Sequence, residues 1–230
     1  MEKYIDQIVD FIRNTNDFQF LDITSSYNYK IGDTFSLSVE NSRNLTNNNM
    51  GATIIDGILQ AGLKYDTVVK PRVDKFKDEY REVKTTSQFY ELINAKELSK
   101  IINFEGQKID RIMALVKFLK NEKIETEDDF YEWLSNEDNS LLLSNLKGIK
   151  TKTIEYLKIL TGHKDTVAVD VRLRNFISMC CKGLEISSDK FAYEILMRVA
   201  EKLHIEPATL DFSIWSYMTP ERTRKQKANA

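Results

Sequence analysis

Leu146-Lys147-Gly148-Ile149-Lys150-Thr151-Lys152-Thr153 decides how this chain is read, together with Ala168-Val169-Asp170, whose carboxylate comes 18 residues after Lys152. Leu141, Leu142, Leu143 and Leu146 supply the apolar helix before the stretch, and Ile154, Leu157 and Leu160 supply the stripe of the helix after it. Gly148 between two helical patterns predicts a tight turn, because glycine adopts dihedrals closed to other residues and lets another group approach the backbone. The second helix then begins at Thr151, where amides lacking intrahelical partners sit at the positive end of the helix dipole and suit an anion. Lys147 and Lys150 add positive charge to the same place. Lys152 sets an amine in the first turn of this helix, and Asp170 sets a carboxylate at the start of the next. An amine able to lose its proton and a carboxylate are the minimum equipment for attack on an electron-poor carbon. The helix end and Lys150 both oppose further positive charge at Lys152, while Glu155, three residues on, offers it a competing surface ion pair. Asp170 follows Thr166-Val167-Ala168-Val169 and precedes a helical pattern, so it also suits an N-cap.

Working outward, 230 residues are enough to bury a full core as one large domain or two small lobes. The two cysteines, Cys180 and Cys181, are adjacent and read as buried small residues rather than a disulfide, and no Cys/His spacing fits zinc or an iron–sulfur cluster. No metal and no cofactor is therefore expected, and the compartment reads as intracellular, a prokaryotic cytoplasm or a nucleus. The start of the chain carries acids within its apolar pattern and so reads as an amphipathic helix, not a secretory signal. No apolar run is long enough for a bilayer, so no membrane partner is expected. The sequon at Asn44 is discounted for want of a secretory route.

A net charge of −2 argues mildly against a nucleic-acid partner, yet the charge is unevenly spread. Residues 147–174 hold seven cations against three anions, a net of +4, whereas residues 121–140 hold one cation against eight anions, a net of −7. One face could meet phosphates while the other repels them.

Eight glycines, three prolines and apolar residues at three- and four-residue steps predict a mainly α protein. Helices are expected near residues 4–12, 51–63, 66–80, 87–94, 95–102, 126–134, 139–145, 151–161, 170–180, 189–203 and 207–217. A further stripe, Ile109, Ile112, Met113, Val116 and Leu119, has Lys108, Arg111, Lys117 and Lys120 beside it. Residues 17–38 alternate weakly and allow a short strand or two, residues 41–49 read as a loop, and Arg222, Arg224, Lys225 and Lys227 form a basic end. Trp133, Trp215, Phe212 and Tyr217 fit a core better than a stacking surface, and His163 beside Gly162 reads as part of a helix C-cap.

These residues resemble the helix-hairpin-helix DNA glycosylases of the endonuclease III type. Leu146, Gly148, Ile149, Lys152 and Thr153 match the hairpin pattern of the lyase members, and Ala168, Val169 and Asp170 match the pair that opens the next helix, at the same separation. The likeness is specific over residues 143–176 and rests elsewhere on helix order. Lys147 replaces a frequent proline, Lys150 replaces the second hairpin glycine, Val171-Arg172-Leu173-Arg174 replaces the usual residues after the aspartate, and the cluster-binding cysteines are absent.

What the resemblance implies is a two-lobed architecture. Residues 48–162 would form a central helical bundle ending in the hairpin, residues 1–47 and 163–230 a second helical lobe, and DNA would lie in a cleft between them. It implies base-excision repair: Lys152 attacks the anomeric carbon of an extruded nucleotide bearing a damaged, oxidised base, and the resulting imine permits strand cleavage. Asp170 would stabilise charge on the sugar. Gly148, Lys147, Lys150, Thr151 and Thr153 would hold backbone phosphate, and one of Leu63, Lys64 or Tyr65 in the turn after Gln60-Ala61-Gly62 would fill the gap left by the base, although Leu63 suits core packing better. The partner implied is double-stranded DNA with a damaged base or abasic site, bound by a monomer. Two other readings stand beside this one: a non-catalytic hairpin that only holds phosphates, and a helical protein–protein adaptor favoured by the acidic stretch around Asp128.

Overall fold

Most of the backbone is helical, as the apolar periodicity requires, and a computed structural model describes residues 1–21, 28–29 and 49–218. The expected loop at 41–49, apart from Asn49, most of the weakly alternating region and the basic end at Arg222 to Lys227 lie outside the described residues. The chain divides into two compact units: residues 49–163 make one, and residues 1–21, 28–29 and 164–218 make the other.

The first unit is built around α2 (Met50–Leu59), all of whose residues are buried. Asn49 starts it, accepting from the Ala52 amide at 3.0 Å and donating to the Tyr80 carbonyl at 3.3 Å. A helix apolar on every face belongs in the middle of a bundle. Ile54, Ile55, Ile58 and Leu59 accordingly join Phe76, Phe89, Leu115, Leu119, Phe130 and Leu157 in one core. Burying a side chain of this size contributes about 1.5–3 kcal/mol. Neighbours come so close that a Cβ on Gly57 would stand 2.4 Å from Leu157 Cδ2, and one on Gly51 2.6 Å from Phe76 Cε1.

The remaining helices of this unit are α3 (Lys70–Glu79), α4 (Thr86–Ala95), α5 (Leu98–Ile102), α6 (Gln107–Asn121), α7 (Glu127–Leu134), α8 (Glu137–Ser144) and α9 (Thr151–Thr161). Thr85 with Gln88 and Thr126 with Asp129 form reciprocal capping boxes that fix where α4 and α7 begin. The single helix expected over 66–80 is in fact a π-helical turn, Tyr65–Val69, running into α3. Pro71 near the start of α3 explains this: it has no amide to donate, so the preceding turn widens and Lys70 bonds back to the Tyr65 carbonyl. The helix expected over 51–63 ends at Leu59, with Gly62 at φ 81° in the turn beyond.

In the second unit, α1 (Glu2–Asn14) lays Ile5, Ile8, Val9 and Ile12 into the same core as Ala192, Ile195, Leu196 and Val199 of α11 (Asp189–Leu203). Arg198 bonds Glu2 at 2.5 Å and Lys202 pairs with Asp6, joining the same two helices at the surface. The two-residue strands β1 (Phe20–Leu21) and β2 (Asn28–Tyr29) pair antiparallel. Phe11 of α1, Phe18 in the segment after it and Phe176 of α10 (Val171–Cys180) gather around Tyr217 of α12 (Pro207–Tyr217), with ring centroids 5.3 to 6.1 Å from it. Cys181 is buried as expected, while Cys180 is only partly so. No helix of the described residues is long and apolar enough to cross a membrane.

Candidate functional site

The hairpin forms as its sequence pattern requires. Residues 145–150 join α8 to α9; Gly148 takes φ 84°, and the Ile149 amide bonds the Leu146 carbonyl at 3.1 Å, closing the turn over a fully buried Ile149 side chain. Leu143 is buried and Leu146 packs on the core, but Leu141 and Leu142 are 65% and 43% exposed. The apolar face expected of all four leucines is therefore carried by two. Eight residues make barely two turns, so four near-consecutive leucines cannot share one face.

Lys150 is the N-cap of α9 and, having no acceptor, provides no side-chain cap. Lys147, Lys150 and Thr151 are exposed, Lys152 is partly buried, and Thr153 is buried. The Thr153 hydroxyl thus belongs to the interior, and only its backbone is placed at the helix start. Glu155, the competitor for Lys152, bonds Lys158 at 3.4 Å.

Two of the charges that flank the apolar stripe of α6, Lys108 and Arg111, are part of this site. Lys108, on α6, donates from Nζ to the carbonyls of Ile58 at 2.6 Å and Ala61 at 2.7 Å, so it holds the C-terminal end of α2 and the turn beyond. Burial, then the neighbouring Arg111 and Lys152 charges, push its ammonium down to about 8. Arg111, one turn along α6, lies against Gly148. Lys108 and Arg111 therefore draw α6, the hairpin and the candidate nucleophile into one basic locality.

Beside it lies a polar cluster with no counterpart in the sequence reading. Asp56 is buried in the middle of α2; its Oδ1 accepts from the Tyr156 hydroxyl at 3.2 Å and its Oδ2 from the Tyr65 hydroxyl at 3.3 Å. Burial pushes this carboxyl up to about 7, against the lowering effect of the two phenols. Tyr65 is held by that bond, whereas Lys64 is exposed and Leu63 packs on the core. Tyr156 stands one turn after Lys152 on α9, the spacing that puts two side chains on the same helix face.

Asp170 belongs to the other unit. It is the N-cap of α10, its Oδ1 accepting from the amides of Arg172 at 2.8 Å and Leu173 at 3.0 Å. The extended segment leading to it is tied down by Asp211, whose Oδ2 accepts from the Ala168 amide at 2.6 Å. Arg172 lies over the Trp215 ring at 4.2 Å with Nη1 buried and unbonded, and Phe212 stacks on Trp215 at 6.4 Å. Trp133 packs edge-on against Phe118, as a core residue should. Gly162, at φ 112°, takes the C-cap position of α9 and the His163 amide bonds back to the Lys158 carbonyl at 3.0 Å, so His163 is part of the cap as expected; its ring stacks on Tyr131 at 4.2 Å with Nε2 3.1 Å from the Tyr131 carbonyl. Among the described residues no group of His, Cys, Asp and Glu is arranged to hold a metal ion.

No match to the chain is found among curated proteins or among solved structures. Residues 61–219, which include the hairpin, Lys152 and Asp170, match a family described as a domain of unknown function (DUF8548), and since that is more than half of its length, the chain belongs to this family.

Proposed function

We propose that the protein is a bifunctional DNA glycosylase with abasic-site lyase activity that removes an oxidised base from duplex DNA in a two-lobed helix-hairpin-helix architecture. The observation that carries the reading is the placement of Lys152 in the first turn of α9, after a glycine turn at positive φ and beside Lys108 and Arg111. In the proposed reaction the neutral Nζ attacks C1′ of the extruded nucleotide, and the bond to the base breaks with its electron pair leaving on the base. Loss of a proton from nitrogen and opening of the sugar ring give an imine. Removal of a C2′ proton then expels the 3′ phosphate, and water releases the enzyme. Asp170 would stabilise positive charge on the sugar, and Gly148, Lys147, Lys150 and Thr151 would hold phosphate through amides and charge.

Borohydride with lesion-bearing duplex should trap a covalent adduct with the wild-type chain, and Lys152→Gln should abolish it. An undiminished adduct in Lys152→Gln would remove Lys152 from the role. The exposure of Lys147, Lys150 and Thr151 favours a second reading, a hairpin that only grips phosphates. That reading expects salt-dependent duplex binding, no nicking, and a Lys152 substitution that alters affinity alone.

A further inference from the structure

Asp56 is costly where it stands. A carboxyl in the middle of a fully buried helix loses its hydration, and an apolar residue of similar volume would serve packing at least as well. Its position is instead explained by what meets there. α2 supplies the carboxyl, the π-helical turn supplies the Tyr65 hydroxyl, and α9 supplies the Tyr156 hydroxyl, one on each carboxyl oxygen and within reach of one another. Tyr65 follows the exposed Lys64, and Tyr156 follows Lys152 by one helical turn. One side chain thus joins the segment after α2 to the helix that bears the candidate nucleophile.

We infer that Asp56 is a positioning residue whose proton sets how α9, and with it Lys152, is held: the carboxylate accepts from both phenols, and the neutral acid donates to one of them, whose own hydroxyl must then turn. The change follows from donor and acceptor counting. An ionised carboxylate accepts at both oxygens, whereas the acid uses one oxygen to donate; the phenol there becomes the acceptor and aims its own hydrogen elsewhere, with the other phenol within reach. Burial places this exchange near neutrality, at about 7, and makes both phenols harder to ionise, so the tyrosines stay donors throughout. Around Asp56 the charged groups are Asp74 and Lys77 on α3, which oppose one another in their effect on it. Toward the C-terminal end of α2 stands Lys108 of α6, on the Ile58 and Ala61 carbonyls; toward its N-terminal end Glu127 of α7 accepts from Thr53, and α4 presents Phe89.

The positional part of this inference stands on the cluster itself, and only its consequence for catalysis rests on the lyase reading above. The test is an NMR titration of the full chain with labelled carboxyl and tyrosine ring carbons, alongside backbone amides. One carboxyl should titrate with a midpoint near 7, and the rings of Tyr65 and Tyr156 and the amides of Thr151, Lys152 and Thr153 should move with the same midpoint. Asp56→Asn, which keeps the shape, should abolish all of these movements, and Tyr156→Phe should abolish those of α9 while leaving Tyr65 responsive. Strand cleavage by the wild type should show an inflection at that pH that Asp56→Asn lacks. If the wild type cleaves nothing but the amides follow the carboxyl, the lyase reading falls and the positioning role stands. A carboxyl that titrates while the α9 amides stay still, or one that titrates in the ordinary carboxylate range, would overturn the inference.

Discussion

A Cβ added to Gly148 would stand 2.2 Å from Nε of Arg111 and 2.6 Å from its Cζ, so the guanidinium of α6 is seated directly against the turn of the hairpin. The contact is sequence-remote, and it explains why this turn needs glycine twice over. The residue sits at φ 84°, and the space a side chain would use is already occupied.

Gly148→Ala should therefore destabilise the chain by two separable effects. The left-handed backbone costs a non-glycine residue about 1–2 kcal/mol, and displacing Arg111 adds to that. Urea unfolding of Gly148→Ala, Arg111→Ala and the double variant separates the two. In the Arg111→Ala background the alanine should cost only the backbone strain. Equal costs in both backgrounds would mean that the guanidinium yields freely and contributes nothing to holding the turn.

The hairpin, the stripe of α9 and the helix start at Asp170 were legible because each rests on local signals: apolar spacing, a lone glycine, and a capping residue before a helical run. Asp56 was not legible. In Ile54-Ile55-Asp56-Gly57-Ile58 it reads as a polar interruption of an apolar helix, and its partners lie 9 and 100 residues away. Lys108 and Arg111 flank an apolar stripe and so resemble solvated charge, and the carbonyls that Lys108 reaches are 50 and 47 residues back. The widened turn before α3 had a visible cause in Pro71, but a proline near a helix start is ordinary, and only the packed bundle requires the chain to remain helical on both sides of it. Local chemistry was readable, and convergence between distant segments was not.

Asp170 separates capping from chemistry. Its Oδ1 bonds two amides of α10, and asparagine caps about as well as aspartate, whereas alanine costs about 0.5–2 kcal/mol. Asp170→Asn should thus melt close to the wild type and Asp170→Ala several degrees lower. In the proposed reaction only the charge matters, so both variants should lose borohydride trapping to a similar extent. Trapping that tracks melting temperature across the two variants would assign Asp170 to structure alone.

Lys108 gives a stability signature that owes nothing to any activity. Its ammonium is pushed down to about 8 from an ordinary 10.5, first by burial and then by Arg111 and Lys152. Between those two values the unfolded chain binds the proton that the folded chain has released, so stability rises with pH across that window and is flat below it. Lys108→Met removes the rise. At neutral pH it also removes the bonds to the Ile58 and Ala61 carbonyls, for a loss of about 1–3 kcal/mol. Lys152→Gln should shift the onset of the rise to higher pH, because one of the two cations opposing Lys108 is gone. Chemical denaturation at successive pH values from 7 to 10.5 measures all three chains. A wild-type curve that parallels Lys108→Met throughout would show that Lys108 keeps an ordinary affinity for its proton, and an onset unmoved in Lys152→Gln would show that the two amines do not sense each other.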